Sequence, residues 1–311
     1  NFNVDVFAWQ IAENTTGGVS GSPTPSQTTE LDTVLYGFYA QYKFGGFLKG
    51  NVIEPYLVAK AESTDEDVLN ATKTPESETR YTWGFRAAGK GLFGGGFDYT
   101  IEPNYQSGSS RYTPANLSQN QNSKENIDAW AIHAEAGYTF KNLPWTPRIG
   151  YAYSFASGDD SFDQGSQQTY KQVSPTQHAH NGYMDVTSWQ NIIDHQLHFN
   201  VKPTKKLVVD VKAHFFELDK QSDNWYNVGG GVARAGADFY QVVDNDGDAG
   251  VDTVDDELGQ EIDVTLKYKM FENFGVVAGY SHFFAGDFIE DTGGGMDRGV
   301  DWFYLQTTVK F

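Results

Sequence analysis

The stretch Glu261-Ile262-Asp263-Val264-Thr265-Leu266-Lys267-Tyr268-Lys269-Met270 decides the fold. Its even positions are apolar and its odd positions are charged or hydroxylated. Strand side chains point alternately to opposite faces, so the segment predicts a strand with one apolar and one polar face. The same alternation recurs upstream. Val34, Tyr36, Phe38, Ala40, Tyr42 and Phe44 oppose Thr33, Gly37, Gln41 and Lys43, with Leu35 and Tyr39 as exceptions. Tyr81, Trp83, Phe85 and Ala87 oppose Arg80, Thr82, Gly84 and Arg86. Phe97, Tyr99, Ile101 and Tyr105 oppose Asp98, Thr100, Glu102, Asn104 and Gln106. Further alternating runs lie over 128–140, 148–155, 196–202, 207–215 and 303–311, with weaker ones near 2–12, 53–63 and 274–285. The count is about twelve strands, and no run has the 3.6-residue period and caps of a long helix.

The composition narrows the class. The chain has 311 residues, 33 glycines, 15% aromatic residues, no cysteine and a net charge of −19. Abundant aromatic residues argue against intrinsic disorder. No apolar run approaches the length of a membrane helix. The acidic balance argues against nucleic acid, which calls for a basic surface. Without cysteine there is no disulfide frame and no thiolate site. An all-β chain remains, either a soluble sandwich or a membrane barrel.

The connectors separate those two. Short ones lie at Lys90–Gly96, Lys141–Pro147, Pro203–Lys206 and Phe271–Asn273. Long polar ones lie at 13–31, 63–78, 107–125, 157–191, 218–258 and 286–300. Short and long alternate, as in barrels with short periplasmic turns and long external loops. Aromatic residues cluster at strand ends (Tyr42 and Phe44, Tyr81 and Trp83, Tyr138 and Phe140, Tyr153 and Phe155), where membrane interfaces favour them. Charges such as Arg86, Glu102, Glu135, Asp210, Lys212 and Lys267 stand mid-strand on the polar face, as a water-filled lumen permits. The expected fold is a transmembrane antiparallel β-barrel, one domain over 1–311, in the bacterial outer membrane with lipid as its first partner.

Several fragments then resemble a known family, the alginate-export outer-membrane porins. They are Arg148-Ile-Gly-Tyr-Ala-Tyr-Ser-Phe-Ala-Ser-Gly-Asp159, Pro175-Thr-Gln-His-Ala-His-Asn-Gly-Tyr-Met-Asp185, Lys202-Pro-Thr-Lys-Lys-Leu207, Gly259-Gln-Glu-Ile-Asp-Val-Thr-Leu266, Ala278-Gly-Tyr-Ser-His-Phe-Phe-Ala-Gly-Asp-Phe288 and Phe303-Tyr-Leu-Gln306. The ending Tyr304-Leu-Gln-Thr-Thr-Val-Lys-Phe311 also resembles the terminal strand signature of outer-membrane proteins. The resemblance implies an eighteen-stranded barrel that passes a polysaccharide or another polar solute, with envelope or export-complex partners. Because Asn1 opens directly into a strand pattern with no leader, the expectation is a chain lacking about six N-terminal strands, rather than a complete twelve-stranded barrel.

The polar faces nominate Arg80, Arg86, Lys90, Asp98, Glu102, His133, Glu135, Arg148, Asp210, Lys212 and Lys267 as pore-lining. Lys60, Lys202, Lys269, Glu54, Asp128, Asp194, Glu261 and Asp263 are assigned inward with them. The family's alginate pore is arginine-lined, as suits a carboxylate polymer. Here the two signs nearly balance, which favours polar or zwitterionic solutes and leaves alginate in question. Arg80, Arg86 and Arg148 either set selectivity or pair with neighbouring carboxylates. In one long loop, Asp244, Asp246, Asp248, Asp252 and Asp255 stand at relative positions 1, 3, 5, 9 and 12, the spacing of a Ca2+ loop. Ala249 and Asp255 depart from that pattern, and a merely solvated acidic loop is the plainer alternative. His178 and His180 share a face in an extended chain and, with His195 or His198, suggest a metal site or simply loop histidines. No phosphate loop, nucleophile elbow or zinc-protease motif is present, so no enzyme is expected. The rivals are a general diffusion porin and a structural or adhesive barrel with a plugged lumen.

Overall fold

In a computed structural model, residues 2–11, 31–64, 77–91, 95–111, 124–160, 165–175, 178, 180–236, 254–293 and 299–310 are described. The strands are β1 (Phe2–Ile11), β2 (Leu31–Lys43), β3 (Asn51–Thr64), β4 (Ser77–Lys90), β5 (Phe97–Arg111), β6 (Lys124–Thr139), β7 (Arg148–Ala156), β8 (Ile192–Val201) and β9 (Leu207–Glu217). A small hairpin follows, β10 (Trp225–Tyr226) with β11 (Val232–Arg234). Then come β12 (Glu257–Phe271), β13 (Phe274–Ala285), the short helix α1 (Asp287–Gly293) and β14 (Val300–Val309). Twelve strands form one antiparallel meander in the order β1-β2-β3-β4-β5-β6-β7-β8-β9-β12-β13-β14. Helix α1 and the β10–β11 hairpin fall inside segments that the sequence reads as plain loops.

The connections are sorted by end. Residues 44–50, 91–96, 140–147, 202–206 and 272–273 join strands at one edge; 12–30, 65–76, 112–123, 157–191, 218–256 and 286–299 join them at the other. Strands run from 9 to 16 residues, long enough to cross a bilayer at a tilt. Pairing is continuous over long stretches, as from Phe97↔Tyr138 to Arg111↔Lys124. Among the described residues β1 and β14 pair only with β2 and β13.

Burial inverts the usual order. In β12, Glu261, Asp263 and Thr265 are 0%, 2% and 3% exposed, while Ile262 and Leu266 between and beyond them are 41% and 42% exposed. Trp83, Phe85, Ile101, Trp130, Ile149, Tyr151, Leu197, Phe199, Phe303 and Leu305 are likewise exposed. Buried charges and bare aliphatics are the reverse of a soluble core. They are what a lipid-facing outer wall and a polar inner wall require.

The outer face carries its own bounds. Trp83, Tyr105 and Trp130 form one cross-strand row. Toward the long loops that face turns polar, with Ser107 and Asp128 paired across strands. Asp128 is therefore not inward: it shares parity with Trp130 and Ile132, and the sequence assignment misjudged its phase. The other end of the apolar band is marked by Tyr42 against Phe44 and Tyr138 against Phe140, each pair edge-on at 5.0 Å. Between Phe97 and Tyr105 the strand climbs roughly 26 Å at about 3.3 Å per residue. A tilt of about 40° leaves about 20 Å of height, near the ~25 Å apolar band of outer-membrane barrels.

Candidate functional site

All eleven nominated pore residues lie on the inner parity. Cross-strand partners fix this: Lys90 faces Asp98, Glu102 faces His133, and Asp210 faces Thr265. The arginines are paired. Arg80 donates from Nε to Glu78 at 2.6 Å, and Arg86 donates from Nη1 to Glu54 at 2.6 Å. Arg148 uses Nε and Nη2 on Asp98 at 3.0 and 2.6 Å, and Nη2 also on Glu135 at 2.7 Å. Lys267 holds Asp210 at 3.3 Å. His198 reaches Glu135 at 3.3 Å. Of the two readings left open for the arginines, neighbouring carboxylates occupy them. Among the described residues, Lys90, Lys212 and Glu102 have no oppositely charged partner within ion-pair distance. The Tyr56 hydroxyl donates to Glu102 at 2.7 Å and also contacts Asn104.

The long segment 157–191 folds back onto this wall. On one side its Gln167–Lys171 stretch docks on β4 and β5. Arg80 donates to the Gln167 side chain at 2.7 Å and to the Thr169 carbonyl at 3.3 Å. Gln106 brackets Lys171, donating to its carbonyl at 2.7 Å and accepting from its N–H at 3.0 Å. Lys171 Nζ reaches Glu78 at 2.9 Å. On the other side, His180–Met184 docks on β8 and β12. Gln196 donates to the His180 carbonyl at 2.8 Å, and the N–H groups of Tyr183 and Met184 donate to Asp263 and Glu261 at 3.2 and 2.9 Å. The Tyr183 ring stacks on Tyr304 of β14, with centroids 4.8 Å apart. One loop thus touches β4 and β14, far apart in the sheet order, so the sheet curls around it.

The glycine at the second anchor is not replaceable. Gly182 has φ +86°, and a Cβ there would lie 2.7 Å from the Glu261 carboxyl group. Gly182→Ala is expected to weaken this anchor by at least about 1 kcal/mol. Faster protease nicking between 175 and 190, with the strands still resistant, is the readout; unchanged nicking would remove the anchor.

Two further features bind the loops together. Asp223 is fully buried, and its carboxylate accepts from the Asp159 N–H at 3.0 Å, the Thr169 hydroxyl at 2.6 Å and the Tyr226 hydroxyl at 2.7 Å. Burial pushes its carboxyl above the ordinary aspartate range despite those donors. Above it the inner face becomes apolar: Ile127, Ala129 and Ala131 of β6, Phe216 of β9 and Phe283 of β13 pack with Tyr170, Leu218 and Val254 from the loops and Phe288 and Ile289 of α1. A small hydrophobic core therefore sits inside the long-loop end.

The metal assignments fare differently. Asp244, Asp246, Asp248 and Asp252 lie outside the described residues. Asp255 is engaged at the start of β12, accepting from the Glu257 N–H at 2.9 Å and donating its own N–H to Asp291 at 3.0 Å. The histidine set does not converge. His178 pairs with Asp185 at 3.0 Å and stacks on Tyr183, whereas His180 packs 4.5 Å from the His133 ring. His195 faces outward against Tyr151. The extended spacing fails because His178 adopts φ +53°, which breaks the shared face. Among the described residues no group of three His, Asp or Glu side chains has metal-binding geometry.

The sequence assigns Asp194 and Asp263 inward, and the structure joins them with His214 in a buried polar row on β8, β9 and β12. His214 contacts Asp194 at 3.0 Å and stands 3.8 Å from Asp263, which accepts from Ser281 at 2.5 Å. Ser281 joins the row from β13 through Asp263, and this convergence depends on curvature that no local pattern carries.

This wall, polar within and apolar without, defines an all-β membrane protein rather than a soluble enzyme. A family described as alginate export matches residues 19–299, and the chain belongs to that family. That membership points to an outer-membrane transport channel rather than to catalysis. No curated protein matches the chain in sequence. Among solved structures, Salmonella typhi OmpF in complex with daunomycin is similar over 98% of this chain and 96% of that one, at 7% identity and a TM-score of 0.30, too slight a likeness to carry an argument.

Proposed function

We propose that the protein is a passive outer-membrane channel whose twelve strands wrap a hydrated lumen narrowed by segment 157–191. The inverted burial carries this reading, since buried Glu261 and Asp263 alternate with exposed Ile262 and Leu266. Family membership supports the location and the transport role. The cargo is proposed to be a polar solute or polysaccharide of little net charge. An arginine held by carboxylates presents no free cation to an anionic polymer, and Arg80, Arg86 and Arg148 are all so held. Planar-bilayer recording tests this: discrete conductance steps with weak ion selectivity are expected. A silent bilayer would favour a plugged structural barrel, a reading that the apolar cluster at the loop end also supports.

Calcium binding by Asp244, Asp246, Asp248, Asp252 and Asp255 is proposed from their spacing alone. Calorimetry should give a calcium heat for the wild type that Asp246→Ala loses. Equal heats in both proteins would remove the site.

A further inference from the structure

We propose that the wall beneath segment 180–189 is a seat for the vicinal hydroxyl groups of a neutral sugar. The inference rests on the channel reading and names the chemistry its lumen recognises. A cavity of about 90 Å³ lies there, lined by Glu102, His133, Ser154, His180, Asn181 and Trp189. It has room for about three waters at ~30 Å³ each, and the hydroxyl groups of a sugar would take their place.

Two of the residues that line it each carry a buried polar atom with no hydrogen-bond partner among the described residues. Asn181 Oδ1 is an acceptor on a side chain 4% exposed, and the Trp189 indole N–H is a buried donor. Leaving a buried donor or acceptor unmet is costly, and the pair here is of opposite sense. A hydroxyl group both donates and accepts, so a vicinal diol meets the two together. Asn181 lies between the anchored His180 and Tyr183, and the Trp189 ring packs on Tyr170 with centroids 5.3 Å apart, so the seat is formed before the ligand arrives.

The charges select against an anionic sugar. Glu102 lines the cavity and has no cation within ion-pair distance among the described residues. His133 is held by Ser154 at 2.9 Å and packs on His180. Burial and the Lys212 ammonium keep the His180 imidazole below its ordinary range, so it is neutral at neutral pH. A uronate carboxylate would meet Glu102, and no lysine or arginine is among the residues that line the cavity to offset it.

Calorimetry on the full chain in detergent, with maltotriose as the neutral probe and trigalacturonate as the anionic one, tests the seat. Maltotriose is expected to bind. Trp189→Phe keeps the ring and removes the N–H, and should weaken binding about fivefold, as should Asn181→Leu. Trigalacturonate should bind about tenfold more weakly than maltotriose or not at all. No maltotriose heat, unchanged affinity in both variants, or equal binding of the two trisaccharides would overturn the proposal and leave a water-filled cavity. Resistance of the variants to unfolding in cold sodium dodecyl sulfate separates lost binding from lost folding. Because heats are read without conduction, a conducting protein that ignores maltotriose sinks only the seat. A silent protein that binds it sinks only the channel.

Discussion

Replacing residues 165–190 with a short glycine-serine linker should raise single-channel conductance several-fold. The segment is anchored at Arg80 and Gln106 on one wall and at Glu261, Asp263 and Tyr304 on the other. It therefore crosses the space between the two walls, and in the proposed channel conductance follows the free cross-section. Removing it also exposes inner-wall groups that it now covers. Glu261 and Asp263 would trade loop N–H donors for water, which suits carboxylates in a hydrated lumen better than burial without donors. The sheet should survive, because its ladder bonds and lipid-facing side chains are independent of the loop. The apolar cluster loses Tyr170 and the Met184, Val186 and Trp189 side chains packed against it, but keeps Leu218, Leu258, Phe283, Phe288 and Ile289. An unaltered conductance in a correctly folded variant would mean that the segment does not narrow the path. An unfolded variant would mean that it is part of the fold.

The wall was legible in the sequence and the loop was not, for a physical reason. Strand parity is local: a residue's face follows from its neighbours two positions away, so Glu261 to Met270 announces itself. Even the error at Asp128 is one of phase, corrected by counting back from Trp130. The loop contacts are not local. Gln106 holds Lys171 and Glu261 holds Met184, pairs 65 and 77 residues apart, through backbone groups that every residue possesses. Nothing in Lys171 or Met184 marks them as anchored. The apolar rim was hidden differently. Ile127, Ala129 and Ala131 sit on the inner parity of β6, where a polar residue was expected, and only the loops packed over them explain why they are apolar. The short spacing of His178 and His180 misled for the same reason, since a left-handed residue in a loop destroys the period on which the argument relied.

Arg148→Gln should shift the channel toward cations more than any other single arginine change. Arg148 alone serves two carboxylates, Asp98 and Glu135, whereas Arg80 and Arg86 each serve one in the wall. Losing it leaves two uncompensated negative charges close to the short-turn mouth, where cations gather and anions are repelled. His198 offsets little of this, because it reaches Glu135 alone and is charged only when protonated. Arg148 and its partners are about one-fifth to one-quarter exposed, so water softens the loss. A destabilisation of about 1–3 kcal/mol is expected from the broken charge-assisted bonds. The reversal potential under a salt gradient should move several-fold in permeability ratio toward cations, and less at high salt, as screening shortens the reach of the field. The double variant Arg148→Gln, Asp98→Asn should return to the parent value, because it removes one charge of each sign and leaves the site with the single net negative charge it carries in the parent. If Arg148→Gln leaves the reversal potential where it was, the Arg148 pairs hold the wall together without governing what passes through it. If the double variant stays as cation-selective as Arg148→Gln, the excess charge lies elsewhere on the inner face.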